Sequence, residues 1–380
     1  MLTKLQDEIR KQVKKRSDFE HLCLARGCAP IAFARYAEWE INLEKLRSMR
    51  CKRLKITGSS NHTGQARIFS IFKRGTNKHP GDLALWMSYL EYCRSTKAMK
   101  KFKTVLTSAL RLHCTNTGLW LYAARCALEE ENDMGAARSY MQRGTRFCNR
   151  GPELWVNYAK LEMIFLAKIA ARRRILGLDA PAKKLEEKKA AEEDTAMEGT
   201  GEGFGDEDEI KFPEFKAQKL DTDLMEGVKV DTEAVQNPMD TPALNGAIPL
   251  AIFDDAQKQP FFTPAAAEQF FDMFTVFLGV HCLDTLLAHV LEIMKEKFPQ
   301  SAETWNCYVR QPLVGVSPLT AAYPPALTVA LGRLKEARSE VKDQRLLAQK
   351  TKSWIEKTLQ VEGLDEGIKT VLGFTAKKLE

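Results

Sequence analysis

One phrase of this chain recurs, and its clearest copy is Leu154-Trp155-Val156-Asn157-Tyr158-Ala159-Lys160-Leu161-Glu162. It places an indole, a phenol and a carboxylate at positions i, i+3 and i+7, which share one face of an α-helix. Two aromatic rings one turn apart supply a large apolar anchor, and the tyrosine hydroxyl finds a polar partner at its edge. The phrase therefore predicts an α-helix that buries this face.

The same spacing returns along the chain. The further copies are Phe33, Tyr36 and Glu40, then Trp86 and Tyr89, then Trp120 without a following tyrosine, and finally Trp305 and Tyr308. Trp86, Trp120 and Trp155 follow one another at steps of 34 and 35 residues. A period of about 34 residues is typical of stacked helix–turn–helix units. We therefore predict an all-α helical-repeat solenoid.

We predict that the repeated aromatic residues form the core of the repeats. Aromatic residues can also stack on nucleic-acid bases, but a fixed position on an apolar face favours the core. A covered carboxylate such as Glu162 needs a cation from a neighbouring helix. Arg74 and Arg143 lie in similar contexts, Phe-Lys-Arg-Gly-Thr and Met-Gln-Arg-Gly-Thr, in the predicted second helices. We expect these two arginines to be the partners.

Composition divides the chain into four segments. We predict an N-terminal helical segment at 1–29, a first repeat block at 30–177, an acidic disordered linker at 178–243, and a second helical block at 244–380. The linker is rich in Glu, Asp, Ala, Gly and Lys and has too few apolar residues to offset the entropy of ordering. The second block is predicted to end in two capping helices, at about 326–360 and 364–379.

The composition argues against several functions. No run of about 18 apolar residues is present, which argues against a transmembrane helix, and the first residues carry acids instead of an apolar signal core. Nine cysteines without a Cys-x-x-Cys motif indicate a reducing compartment. Glycine-rich phosphate loops, nucleophile elbows and His-Glu-x-x-His motifs do not occur. We therefore expect no catalytic, cofactor-binding or metal-binding residues, no small-molecule substrate and no enzymatic activity.

The charge is distributed unevenly. The net charge is +7, but residues 1–176 contain 34 Lys and Arg against 15 Asp and Glu, and the remainder contains 23 against 35. A basic half of this kind favours nucleic acid or an acidic protein as a partner. The alternative is a solvated surface, and cations at a helix C-terminus also complement its dipole. The candidate contacts are Arg47, Arg50, Lys52, Arg53 and Lys55 beside the turn-rich loop Thr57–Gly64, and Arg172, Arg173 and Arg174.

Several longer phrases resemble a known family. They are Lys14-Lys-Arg-Ser-Asp-Phe-Glu-His21, His79-Pro-Gly-Asp-Leu-Ala-Leu-Trp86-Met-Ser-Tyr89, Leu119-Trp-Leu-Tyr-Ala-Ala124, Ala137-Arg-Ser-Tyr-Met-Gln-Arg-Gly-Thr-Arg-Phe-Cys148 and Leu154-Trp-Val-Asn-Tyr158. Over about residues 10–176 they resemble the half-a-tetratricopeptide (HAT) repeat subunit of the UTP-B subcomplex, the sixth of the U three proteins of the small-subunit processome. The likeness is weaker over 245–310, where Ala247–Phe253 and the Trp305/Tyr308 pair support it.

The resemblance implies a HAT/TPR-like solenoid in two blocks and a nuclear, nucleolar scaffold without enzymatic activity that works in ribosomal RNA maturation. It implies WD-repeat propeller subunits of UTP-B and a small nucleolar RNA with pre-rRNA as partners, and no membrane. It also implies an N-terminal helix that is short or missing here. Cys93 and Pro312 stand where the family has its signature glutamate, so we expect no acid–base pair in those repeats.

Two other functions use this type of fold. A HAT-repeat scaffold in mRNA splicing or 3′-end processing is one, and the phrases Phe-Glu-His and Arg-Phe-Cys favour the processome instead. A tetratricopeptide adaptor that binds peptides is the other. Such an adaptor needs Lys, Arg and Asn side chains that converge on its concave face, whereas Trp-x-x-Tyr-x-x-x-Glu favours the HAT type.

Overall fold

The computed structural model describes residues 2–56, 62–175 and 245–379. Every regular element within these ranges is a helix, and neighbouring helices pack on one another. The predicted all-α, helical-repeat class of fold is therefore confirmed. The chain forms two compact units, Met1–Ala123 (unit 1) and Ala124–Glu380 (unit 2). The predicted linker, 178–243, lies outside the described residues.

Unit 1 is built from helices joined by short turns. They are α1 (Leu2–Leu24), α2 (Pro30–Arg53), α3 (His62–Lys78), α4 (Leu83–Ser95), α5 (Met99–Leu112) and the first half of α6 (Thr117–Glu129). From α1 to α5 each helix packs on the next, and α2 also packs on α4. The first helices of successive pairs thus lie side by side, as in stacked helical repeats.

Within its described residues, unit 2 continues with the second half of α6 and nine further α-helices. They are α7 (Met134–Phe147), α8 (Glu153–Ile175), α9 (Ala247–Ala256), α10 (Pro264–Thr275), α11 (Leu283–Lys297), α12 (Ala302–Arg310), α13 (Tyr323–Glu340), α14 (Gln344–Leu359) and α15 (Glu366–Lys378). Helix α8 packs on α10, α10 on α12, and α12 on α14, while α9 packs on α11. Alternate helices therefore form two layers.

Helices α8 and α9 pack closely although more than 70 residues separate them in the sequence. They occupy the places of the first and second helix of one repeat. The Phe261 ring, which follows α9 in the sequence, lies 6.2 Å from the Trp155 ring, measured between centroids. Residues beyond α9 therefore also cover the apolar face of α8. The predicted first block ended at 177 and the second began at 244. The structure differs, because α8 packs within the same compact unit as residues 245–379.

Turn residues set the helix ends. Asp82 accepts a hydrogen bond from the Ala84 amide at 3.0 Å and caps α4. The prediction of one helix at 326–360 was wrong, because α13 and α14 are separate there. Val341 is extended and buried between them, and Asp343 caps α14 through the Leu346 amide at 3.1 Å.

Candidate functional site

The structure buries most of the repeated signature side chains. Those with less than a tenth of their surface exposed are Phe33, Tyr36, Glu40, Trp86, Tyr89, Trp120, Trp155, Tyr158 and Glu162. Burial at this level removes the rings from solvent, so they are not available as platforms for base stacking. Their contribution is to hold successive helices together through apolar contact.

Trp305 and Tyr308 differ from the other signature residues because both are only half-buried. The Lys295 ammonium lies 3.4 Å from the Tyr308 ring centroid, and the Arg333 guanidinium lies 4.2 Å from it. Cations from α11 and α13 thus cover this ring. The buried positions of α12 are Ala302, Thr304, Asn306, Cys307 and Val309. Trp305 packs against the buried cluster of Ala302, Val309 and Ala330, so it lies at the margin of the core and not within it.

Three signature tryptophans make the same hydrogen bond, which their sequence pattern does not predict. Each indole Nε1 donates to the backbone carbonyl six residues earlier, Trp86 to Pro80 at 3.0 Å, Trp120 to Cys114 at 2.8 Å and Trp305 to Pro299 at 2.7 Å. The bond joins each indole to the turn that precedes its own helix. Trp155 is the exception, since its buried Nε1 has no hydrogen-bond partner within the described part of the chain.

Both signature glutamates are paired with arginine, but not with the predicted residues. Glu162 accepts two hydrogen bonds from Arg138, at 2.7 and 2.6 Å, and Glu40 accepts two from Arg16, at 2.6 and 3.0 Å. In both cases the arginine lies 24 residues before the glutamate. The predicted partner Arg143 is exposed.

The second predicted partner, Arg74, binds a different carboxylate. It donates to Glu20 of α1 at 2.7 and 2.8 Å, and Glu20 also accepts from the Tyr36 hydroxyl at 2.9 Å. The hydrogen bonds from Arg74 lower the pKa of Glu20, and the Tyr36 hydroxyl acts in the same direction against the opposing effect of burial. Burial, followed by the bond to Glu20, raises the pKa of Tyr36.

Antiparallel packing explains the register of these pairs. Tyr36 is bonded to a residue 16 positions earlier and Glu40 to one 24 positions earlier. In an antiparallel pair, a residue four positions nearer the C-terminus of one helix faces a residue four positions nearer the N-terminus of the other. The sequence separation between facing residues therefore grows by about eight with each turn. Tyr158 and Glu162 repeat the pattern with Gln142 and Arg138. Helices α1 and α2 are thus the structural counterpart of α7 and α8.

The second repeat replaces this ion pair with apolar side chains. Cys93 stands at the glutamate position and Phe69, 24 residues earlier, at the arginine position. Both are buried, and burial raises the pKa of the Cys93 thiol to about 11. Phe72 stacks on Tyr89 at 5.3 Å between ring centroids. Because this repeat lacks both the glutamate and the arginine, it contains no buried charge without a partner at these positions.

The predicted basic contacts separate into several groups in the structure. Arg47 is bonded to Glu44 at 3.0 Å and Arg50 to Glu8 at 2.8 Å, so both charges are partly neutralised within the chain.

Arg172 and Arg174 are exposed, whereas Arg173 is buried and cannot present its charge to a large partner. Lys52, Arg53 and Lys55 are exposed. In the Thr57–Gly64 loop, residues 57–61 are outside the described ranges, and α3 already begins at His62.

A further basic group was not predicted from the sequence. Residues 92–128 contain no Asp or Glu, and the turn before α5 and the first residues of that helix expose Lys97, Lys100 and Lys101. Lys101 also lies 3.8 Å above the centroid of the Phe69 ring. Two features of the sequence could have indicated this group. One is the stretch of 37 residues without an acid, and the other is the strongly apolar single face of α5, which leaves its lysines on the opposite face.

These lysines follow α4, which runs in the same direction as α2. Helices α2 and α4 are in contact and run in the same direction, because α3 returns between them. Their C-terminal ends therefore point the same way, although α2 is 24 residues long and α4 only 13. We give the name basic edge to six exposed cations in these segments: Lys52, Arg53, Lys55, Lys97, Lys100 and Lys101.

The described ranges offer neither a membrane span nor a metal cluster. None of their helices is long and apolar enough to cross a membrane. No group of three or more His, Cys, Asp or Glu side chains in 2–56, 62–175 and 245–379 is placed to hold a metal ion.

Comparison with known proteins points to one family. Residues 5–74 match the family model described as U3 small nucleolar RNA-associated protein 6. This chain is similar to that family. U3 small nucleolar RNA-associated protein 6 of Schizosaccharomyces pombe is 36% identical over 173 residues, which cover 45% of this chain and 36% of that protein. The Homo sapiens homolog is 27% identical over 165 residues, which cover 43% of this chain and 28% of that homolog.

The homolog of Mus musculus is 26% identical over 170 residues, which cover 44% of this chain and 28% of that protein. The chain thus spans about a third of the length of the curated relatives it matches. The match to the family model, over residues 5–74, includes the Arg16–Glu40 pair of α1 and α2.

Proposed function

We propose that this chain is a non-enzymatic HAT-repeat scaffold that acts in 18S pre-rRNA processing and small ribosomal subunit assembly. The supporting observation is its similarity to proteins named for association with U3 small nucleolar RNA. We extend the proposal to a nucleolar location and to membership of a UTP-B type subcomplex with WD-repeat propeller subunits. Stacked helix pairs support such a role, because they offer extended surfaces to several partners.

The basic edge is the proposed RNA contact of unit 1. Its six exposed cations line the ends of α2 and α4 and the start of α5. Cations of this kind neutralise phosphates and release counterions, so binding should weaken as salt increases. The described residues present no aromatic platform beside these cations that would distinguish bases. We therefore propose contact with the RNA backbone and its shape, with little sequence preference. Arg172 and Arg174 are a second candidate contact in unit 2.

Affinity purification of the tagged chain tests the proposed function. Recovered proteins are identified by mass spectrometry and recovered RNA by sequencing. We expect U3 small nucleolar RNA, 18S precursors and WD-repeat proteins. Recovery of spliceosomal or mRNA 3′-end-processing components instead would contradict the proposal, and recovery of chaperones alone would favour a peptide-binding adaptor.

Charge reversal tests the RNA contact separately. One variant carries Lys52→Glu, Arg53→Glu and Lys55→Glu, and a second carries Lys97→Glu, Lys100→Glu and Lys101→Glu. A control carries the same number of reversals at exposed lysines of α15: Lys369, Lys377 and Lys378. We expect both basic-edge variants to lose RNA crosslinking and the control to keep it. The slope of log affinity against log salt should become shallower by about 0.7 for each phosphate of single-stranded RNA that is no longer neutralised. Equal behaviour of all three variants would refute this contact.

A further inference from the structure

Helix α12 of unit 2 carries two aromatic side chains that remain partly open to solvent. Trp305 and Tyr308 are only half-buried, and their rings meet edge to face, with 5.6 Å between centroids and an angle of 84°. The Trp305 Nε1 donates to the Pro299 carbonyl at 2.7 Å, and part of the ring packs on the cluster that contains Ala302 and Val309. These two contacts fix the orientation of the indole, while the remainder of its surface stays accessible.

Two cations from the neighbouring helices lie against these rings. Helix α12 packs on both α11 and α13. The Lys295 ammonium of α11 lies 3.4 Å from the centroid of the Tyr308 ring and 5.9 Å from that of Trp305. The Arg333 guanidinium of α13 lies 4.2 Å from the centroid of Tyr308. Contacts between cations and ring faces are favourable, so Tyr308 positions both cations. We give the name cation–aromatic cluster to these four residues.

The two cations are not neutralised by the described part of the chain. Arg333 donates through Nη1 to the Tyr308 carbonyl and to the Gln311 side-chain oxygen, both at 2.9 Å, and both acceptors are neutral. Neither Arg333 nor Lys295 forms an ion pair with a carboxylate among the described residues. Burial, followed by repulsion from Arg333, lowers the pKa of Lys295, and the exposed Glu336 opposes this shift. An anion in contact with both cations would offset their repulsion.

The cluster combines two features that a nucleotide also combines. Phosphate oxygens accept charge-assisted hydrogen bonds from lysine and arginine. The Lys295 ammonium and the Nε and Nη2 of Arg333 donate to none of the described residues. An accessible aromatic ring accepts a stacked base. An acidic protein segment would satisfy the cations but leave the indole beside them unused. The combination therefore favours a nucleotide over a peptide that carries carboxylates.

We propose that the cation–aromatic cluster binds one unpaired nucleotide of an RNA strand, with its base on the accessible part of Trp305 and a phosphate on Lys295 and Arg333. The base must be unpaired, because a base within a duplex is already stacked between its neighbours. Every base has a π-face, so we expect little preference among the four bases. This assignment rests on the role in pre-rRNA processing proposed above, and it adds a base contact in unit 2 to the backbone contact at the basic edge.

Nuclear magnetic resonance of the full chain labelled with ¹⁵N-tryptophan tests the site. The indole resonances of Trp305 and Trp354 are assigned through Trp305→Phe and Trp354→Phe. Trp354 of α14 is the matched reporter, since it is also half-buried but makes no cation–π contact among the described residues. We expect decauridylate to shift the Trp305 resonance and to leave that of Trp354 unchanged. Binding at the basic edge does not contribute to this signal, because the basic edge belongs to unit 1.

Variants of the ligand and of the protein separate the base contact from the phosphate contact. A decamer with the same sugar–phosphate chain but without bases should bind at Trp305 about 5- to 150-fold more weakly, which corresponds to one stacked base. Lys295→Gln and Arg333→Gln should each weaken binding of decauridylate and make the slope of log affinity against log salt shallower by about 0.7. Lys335→Gln, which removes an exposed cation from α13, should change neither the affinity nor the slope.

A Trp305 resonance that does not respond to decauridylate, or equal affinity for the decamer without bases, overturns the proposal. A shift of this resonance by hexaglutamate at the same concentration would overturn it in favour of an acidic protein segment. Affinity purification tests the proposed function separately. Recovery of U3 small nucleolar RNA together with an unresponsive Trp305 refutes only this site, whereas a responsive Trp305 without recovery of that RNA refutes only the proposed function.

Discussion

Arg138 and Glu162 are joined by two hydrogen bonds of 2.7 and 2.6 Å, and they repeat the geometry of Arg16 and Glu40, which lie 122 residues earlier. Only 2% of the Glu162 side chain is exposed, against 29% of Arg138. The carboxylate therefore depends on the arginine for neutralisation, while the arginine retains access to water. This asymmetry predicts unequal effects when either residue is replaced.

Arg138→Phe should destabilise unit 2 by about 3–5 kcal/mol, because it leaves the Glu162 carboxylate buried without a partner. Glu162→Cys should cost less, since Arg138 can turn its charge toward water. The double variant recreates the pair Phe69 and Cys93 of the second repeat and should be more stable than Arg138→Phe alone. Urea denaturation measures the free energies of unfolding. Arg143→Phe is the exposed control, within about 0.5 kcal/mol of the parent. Simple addition of the two single effects would contradict the predicted coupling.

Trp155→Ala should cost about 3–5 kcal/mol, because it removes a large buried ring and leaves a cavity. Trp305→Ala should cost clearly less, because that ring is only half-buried. Both substitutions delete the same side chain, so each is the control for the other. Thermal and urea unfolding measure the loss of stability in each variant. Equal losses of unfolding free energy would contradict the prediction, because they would show that the difference in burial does not affect stability.

Trp86→Phe removes an indole donor that is bonded to the Pro80 carbonyl at 3.0 Å. It should lose about 0.5–1.5 kcal/mol for that hydrogen bond. Trp155→Phe removes a donor without an acceptor in the described residues and should be more nearly neutral. Phe33 already occupies the equivalent position of the first repeat. A larger loss for Trp155→Phe than for Trp86→Phe would contradict the assignment of these bonds.

Stability should depend on Glu20 at acidic pH. Its pKa is lowered in the folded protein from the usual 4.5, chiefly by the hydrogen bonds from Arg74. The folded state therefore binds this proton less readily than the unfolded state. The contribution to stability is complete above pH 4.5 and declines as the pH falls below it toward the folded pKa. Glu20→Gln should flatten the fall in unfolding free energy in that window.

The matched control for this measurement is Glu38→Gln, at an exposed glutamate of the neighbouring helix α2. It should leave the pH profile unchanged. Arg74→Met should reproduce the effect of Glu20→Gln, because it removes the main cause of the lowered pKa. A profile that responds to the control as strongly as to Glu20→Gln would refute the assignment.

The class of fold could be predicted because it depends on local pattern. The i, i+3, i+7 spacing of Trp155, Tyr158 and Glu162 identifies a buried helix face without knowledge of its neighbours. The cap at Asp82 is equally local, since its bond to the Ala84 amide spans two residues.

The candidate contacts were harder to predict, because exposure depends on the surrounding helices. Arg172, Arg173 and Arg174 are adjacent and chemically alike, yet the middle one is buried. Arg47 and Arg50 are basic residues in a basic segment, but the structure places Glu44 and Glu8 beside them. Lys97, Lys100 and Lys101 were overlooked although residues 92–128 contain no Asp or Glu, because their exposure depends on how α4 and α5 pack.

The sequence by itself determined that the chain is helical, repetitive and basic in its first half, since periodicity, capping and charge are properties of neighbouring residues. The tertiary structure alone decided that Arg138, not Arg143, pairs with Glu162, that α8 and α9 form one pair across more than 70 intervening residues, and that Trp155 lacks the acceptor its counterparts have. These outcomes depend on which turn of one helix faces which turn of the next. Helix packing sets that register, and a pattern of 3.6 residues per turn within a single helix does not encode it.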